Sequence, residues 1–181
     1  MNSLRDFGEV ITPQLHQMVR KSFFGDESPT VDSYISDTME SFEALLNLIS
    51  SDGRSDFGET LVDCSNGVGG IPFKTLNENE HFTKMLSFQL DNMPGAGQVN
   101  EGCGAELVQK QKKFPVGFDA KRCAGYKKCA SIDGDCDRLV YFSADENEAF
   151  KLMDGDKLIV LYSGWIQSLL EKLNMNDVKV F

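Results

Sequence analysis

Histidine is nearly missing from this sequence: His16 and His81 are the only two in 181 residues. The five cysteines, Cys64, Cys103, Cys123, Cys129 and Cys136, include no CxxC pair. That argues against a zinc site, and an odd set of unpatterned thiols fits a reducing cytosol better than a disulfide framework. Positive charge is also short. Lys and Arg number 18 against 28 Asp and Glu, a formal net charge of -10, which argues against nucleic acid and against a membrane surface as partners. No apolar run is long enough to span a membrane, and the first residues show no secretory leader. There is no internal repeat, no low-complexity tract, no GxGxxG and no P-loop lysine.

What is present suits a globular chain with a core. The hydrophobic share is 41% and the charged share 25%, ordinary values for a folded protein of one or two domains. Residues 1–12 read as an extended connector. Pro13 opens a helix with Thr12 as N-cap; Leu15, Met18, Val19 and Phe23 recur on it at helical spacing. His16 lies on this helix and reads as a packing or hydrogen-bonding residue. A second helix, capped by Thr30 or Asp32, runs to about Ser50, with Tyr34, Ile35, Met39, Phe42, Leu45, Leu46 and Ile49 as a core-facing stripe. A loop over 51–58 leads to a strand at 60–64.

The glycine-rich turn 65–70 enters a helix over 72–79. It reads as a structural turn, with a phosphate cradle as the alternative. A strand over 84–90, a mobile loop over 92–102 and a helix over 103–111 follow. Lys110, Lys112 and Lys113 read as a solvated helix end that offsets the dipole. Strands at 128–132, 139–143 and 150–153 precede a helix over 157–173, with Asp156 as N-cap and Trp165 in the core. A last strand begins at Val178–Phe181. This order specifies an α/β domain. Its sheet should be mixed and sandwiched between helices, because 133–138 leads into a hairpin rather than a helix.

The stretch Ser131-Ile132-Asp133-Gly134-Asp135-Cys136-Asp137-Arg138 stands out. Three carboxylates alternate within five residues and repel one another unless a cation sits among them. Oxygen donors without His or Cys favour a hard ion such as Mg²⁺. Gly134 would let the backbone turn tightly enough to bring Asp133 and Asp135 to one centre. Arg138 places a planar cation beside them that suits a phosphate. An EF-hand register fails, since position 6 is Arg138, position 12 is Ala144 and a strand follows. A solvated acidic loop remains the other reading of the residues alone.

Asp133-Gly134-Asp135-Cys136-Asp137-Arg138 resembles the metal-binding loop of the α-D-phosphohexomutases. The run 129–142, with Met153-Asp154-Gly155-Asp156-Lys157, is most similar to the branch that interconverts N-acetylglucosamine 6-phosphate and 1-phosphate. Three more stretches agree, in the family's order: Asp6-Phe7-Gly8 with Ile11-Thr12-Pro13-Gln14-Leu15-His16, then 62–69, then Cys103-Gly104-Ala105-Glu106-Leu107-Val108. The resemblance implies Mg²⁺ held by Asp133, Asp135 and Asp137, a phosphate held by Arg138, and a hexosamine phosphate substrate. It implies an isomerase working through a phosphoserine and a bisphosphorylated sugar, in the cytoplasm, on the route to UDP-N-acetylglucosamine. It also implies a layout: 1–12 as connector from a preceding domain, 13–175 as the metal-binding second of four domains, and 176–181 as the first strand of the next.

No Thr/Ser-Ala-Ser-His-Asn-Pro-type segment is present to carry the phosphoserine, and the family's sugar-recognition and phosphate loops are absent. The chain alone is therefore expected to be inactive, with its other partners being further domains of the same protein. Cys136 stands where a small residue such as alanine is expected, and its oxidation would disturb the loop. Two alternatives stay open: a phosphoglucomutase or phosphomannomutase domain, and a non-catalytic divalent-metal module.

Overall fold

The computed structural model describes residues 6–26, 28–48, 57–84, 86–126, 128–175 and 178. Strands β1 (Gly58–Asp63), β2 (Leu86–Asp91), β3 (Lys128–Ile132), β4 (Leu139–Ala144) and β5 (Phe150–Met153) form one sheet in the order β2-β1-β3-β4-β5. β1 runs parallel to β2 and β3, whereas β4 and β5 are antiparallel. The sheet is mixed, as the hairpin after 133–138 requires.

Alternation along each strand separates two cores. Leu61 points into one, with Cys129, Val140 and Phe142 of the sheet and with Val108 of α5 (Ala105–Gln111) and Cys123 of α6 (Ala120–Ala124). Val62 and Ile132 point into the other, against Phe73 of α3 (Gly70–Asn77), Phe88 and Leu90. Leu61 and Val62 are 0% and 1% exposed, burial that contributes about 1.5–3 kcal/mol each. On the α3 side lie α1 (Thr12–Phe23), α2 (Val31–Leu48) and the short α4 (Glu80–Thr83). Helices on both faces make this an α/β sandwich.

The structure corrects several local expectations. Thr12 is the first residue of α1 and not its N-cap; that position is Ile11, whose N–H donates to Gln14 Oε1 at 3.1 Å. The N-cap of α7 (Gly155–Lys172) is Asp154, not Asp156, and its carboxylate accepts from the Lys157 N–H at 3.3 Å. Trp165 is 57% exposed rather than core, and α7 buries none of its residues. Its broad apolar face, with Ile159, Leu161, Tyr162 and Trp165, lies opposite Asp156, Lys157, Gln167 and Glu171, a pattern that reads as core-facing, yet those four apolar residues stay exposed. On α2 only Leu46 of the stripe is buried, while Leu45 is exposed. α4 and α6 were not expected, since four or five residues are too few to show a period. Ile49 and Ser50, the loop over 51–56, and most of the strand expected at Val178–Phe181 lie outside the described residues.

Candidate metal centre

β1 and β3 are parallel neighbours, so the loops leaving them emerge at one edge of the sheet. The last residue of β1, Asp63, is fully buried and organises that edge. Its Oδ1 accepts from the Ser65 N–H at 3.1 Å and Asn92 Nδ2 at 2.7 Å; its Oδ2 accepts from the Gly104 N–H at 2.7 Å and Ser131 Oγ at 2.6 Å. One carboxylate thus joins β1, the loop after β2, the start of α5, and β3.

Composition suggests a mobile 92–102 segment, but the structure ties it down. The Asn100 N–H donates to the Ser65 carbonyl at 2.9 Å, and Asn66 Nδ2 donates to the Gln98 carbonyl at 3.0 Å. The 65–70 turn serves packing against the acidic loop. A Cβ on Gly67 would lie 2.3 Å from the Gly134 carbonyl oxygen and 2.4 Å from its Cα. Gly67→Ala is therefore expected to push the acidic loop outward, at a cost of about 1–3 kcal/mol or more. Urea denaturation measures this, and an unchanged midpoint would deny the interlock.

Gly134 itself works differently from the expectation. Its backbone is not left-handed; the left-handed residue of the loop is Cys136, at φ 61°. Gly134 is needed because a Cβ there would meet Val99 Cγ1 at 2.5 Å on one side, while Gly67 presses from another. Close approach, rather than an unusual dihedral, excludes a side chain.

Asp133 is 3% exposed. Its Oδ1 accepts from the Asp137 N–H at 3.1 Å and the Arg138 N–H at 3.0 Å, and its Oδ2 from Arg138 Nε at 2.7 Å. Burial pushes its carboxyl up, but the Arg138 side chain and backbone, with Asp137, outweigh that and hold it below the usual carboxylate value. The hydrogen bond and charge of Asp133 in turn push Asp137 above it. One carboxylate oxygen from each of Asp133, Asp135 and Asp137 lies within 4.8 Å of the others. Three such oxygens, crowded enough to raise one acid, form a donor set that a hard dication relieves and that suits Mg²⁺. Burial, with repulsion from the same three aspartates, pushes the Cys136 thiol up to about 11. It stays protonated at neutral pH and is a slow target for peroxide.

Arg138 is 45% exposed and bridges Asp133 to Glu106, whose Oε2 lies 3.6 Å from Nη2. Lys110 pairs with Glu106 along α5 at 2.6 Å, as a helix-end lysine. His16 is exposed on α1, one turn beyond Thr12.

No family model matches the chain. Curated relatives do. A phosphoacetylglucosamine mutase of Oryza sativa subsp. japonica is 39% identical over 179 residues, covering 96% of this chain and 31% of that protein. That of Homo sapiens is 36% identical over 181 residues, covering 96% and 32%. Among solved structures, an N-acetylglucosamine-phosphate mutase in its substrate complex, a member of the α-D-phosphohexomutase superfamily, superposes with a TM-score of 0.74 at 31% identity, covering 92% of this chain and 30% of that one. The chain belongs to the α-D-phosphohexomutase superfamily.

A second solved phosphohexomutase, the Aspergillus fumigatus N-acetylphosphoglucosamine mutase in complex with GlcNAc-6P and magnesium, superposes with a TM-score of 0.71 at 31% identity, over 90% of this chain and 32% of that one. This phosphohexomutase chain spans about a third of the length of its curated relatives, 31% in the rice protein. Sequence reasoning singled out its acidic trio and Arg138, which the structure brings together. It missed Asp63, Thr12 and Glu106. Asp63 carried a signal, an acid closing a buried apolar strand before a glycine-rich turn. The other two lie far along the chain from the loop they touch, and their signal was only their place in the family-like stretches 11–16 and 103–108.

Proposed function

We propose that this chain is the metal-binding part of a phosphoacetylglucosamine mutase, which interconverts N-acetylglucosamine 6-phosphate and 1-phosphate through a phosphoserine and a bisphosphorylated sugar. The carrying observation is the convergent Asp133, Asp135 and Asp137 trio on a chain related along nearly its whole length to proteins of that name. In this reading residues 13–175 are the metal-binding domain, 1–12 join it to a preceding domain and 176–181 open the next. The free thiols support a reducing, cytoplasmic setting, on the route to UDP-N-acetylglucosamine.

Asp133, Asp135 and Asp137 are the proposed ligands of Mg²⁺. When bound, the ion would supply positive charge that stabilises a phosphoryl group in transfer. Arg138 is the proposed phosphate contact. Its Nε is engaged by Asp133, which aims the fork, and its exposed remainder can take a phosphate oxygen. Glu106 limits the swing of the same guanidinium.

Two measurements test the reading. The 181-residue chain should bind one Mn²⁺, a spectroscopic stand-in for Mg²⁺, and should show no mutase turnover, because it has no phosphoserine segment. Absence of saturable Mn²⁺ binding would refute the metal assignment. Steady conversion of N-acetylglucosamine 6-phosphate by the chain alone would refute the division of labour.

A further inference from the structure

The acidic loop is gripped from 123 residues away. Thr12 donates its backbone N–H to the Asp135 carbonyl at 2.9 Å and its hydroxyl to Asp135 Oδ2 at 2.5 Å. We propose that Thr12 is a positioning residue for the metal loop: its hydroxyl fixes the Asp135 carboxylate in the orientation that meets the cation. This rests on the reading of the trio as a Mg²⁺ site.

The three aspartates are not held alike. Asp133 is buried and has Arg138 and two backbone N–H groups. Asp137 is fixed through Asp133, to which its own backbone N–H donates. Asp135 is exposed, and its side chain is aimed by the Thr12 hydroxyl. A ligating carboxylate depends on such an outer partner for its direction.

The partner is itself on a rigid mount, as a positioning group must be. Ile11, Gln14 and Met18 are buried at 3%, 5% and 1% exposure, seating the start of α1 in the domain. The first-turn donors of a helix lack internal acceptors. Here the Ile11 N–H goes to Gln14 Oε1, the Thr12 N–H goes to the metal loop, and Pro13 has none to place. Farther along α1, Gln17 Nε2 and Lys21 Nζ hold Asp37 of α2 at 2.7 and 2.6 Å. Rotation of α1 would therefore drag Asp135 with it.

The test titrates Mn²⁺ into the full 181-residue chain as wild type, Thr12→Ser, Thr12→Val and Asp133→Asn. Valine keeps the shape and the backbone bond but removes the hydroxyl. Because the contact is exposed, Thr12→Val should weaken binding about tenfold, the low end for an outer-sphere partner. Thr12→Ser should rescue it, a recovery that loss of packing would not give. Thr12→Val binding as tightly as wild type, with Asp133→Asn not binding, would overturn the inference alone. If wild type fails to bind, the metal reading falls first. The contact is then decided without metal by a melting-temperature cycle of Thr12→Val and Asp135→Ala. Losses shared in the double mutant support the grip, and additive losses overturn it.

Discussion

Asp63→Ala is expected to leave the chain largely unfolded, or at best to cost it most of its stability. The removed carboxylate is fully buried and accepts from Ser65, Asn92, Gly104 and Ser131 at 2.6–3.1 Å. Two of these donors are backbone N–H groups, and with Ser131 they would lose their acceptor inside the domain, whereas part-buried Asn92 keeps the Val116 carbonyl. Each orphan costs about 1–3 kcal/mol. The three share one cavity, so the terms do not simply add. Even roughly 4 kcal/mol would be a large part of the 5–15 kcal/mol that holds a domain together. Asp63→Asn should fall between: the volume survives, but an NH₂ now faces donors. Urea denaturation reads the effect as a lower midpoint at constant slope. A midpoint for Asp63→Ala close to wild type would show that the loops do not hang on this residue.

Asp133→Asn is expected to abolish cation binding and to lower the melting temperature of the metal-free protein only modestly. Two effects oppose each other in the absence of metal. Losing the charge weakens the bond from Arg138 and turns an NH₂ toward one of the donors that the buried carboxylate accepts from, at a cost of about 1–3 kcal/mol. It also relieves repulsion among three carboxylates within 4.8 Å of one another. With metal present a ligand has gone as well, and affinity should fall on the order of a hundredfold or more, beyond the usual cost of an outer-sphere change. The signature is a melting temperature that rises with Mg²⁺ in wild type, as binding to the folded state requires, and stays flat in the variant. A wild-type-like rise in Asp133→Asn would place the ion elsewhere.

What was legible in the sequence was local. The acidic triplet lies between Ser131-Ile132 and Leu139-Val140, whose apolar character marks strands, so both the loop and the hairpin could be read within a dozen residues. The mixed sheet followed from that hairpin. Thr12 looked like a helix cap because Ser, Thr and Asp before a helix usually are; only the folded chain reveals that its hydroxyl serves Asp135. Gly134 looked like a turn glycine, yet Cys136 takes the left-handed backbone and Gly134 is squeezed by Val99 and Gly67. Such pressure depends on residues more than thirty positions away. Trp165 failed for the opposite reason. An apolar helix was recognised correctly, but nothing in its own pattern says whether its cover lies within residues 6–178.

The bond from Thr12 to Asp135 also sets a timetable. Asp133, Asp135 and Asp137 are made within five residues of one another, yet the clasp that steadies them shuts a ring of more than a hundred residues, whose closure entropy is repaid only once the sheet between has assembled. A nascent chain emerging from the ribosome exposes Thr12 first and must wait for the β3–β4 hairpin before that hydroxyl has anything to hold. The ordered trio therefore matures late, and a chain that stalls before the hairpin pairs presents only a loose cluster of like charges.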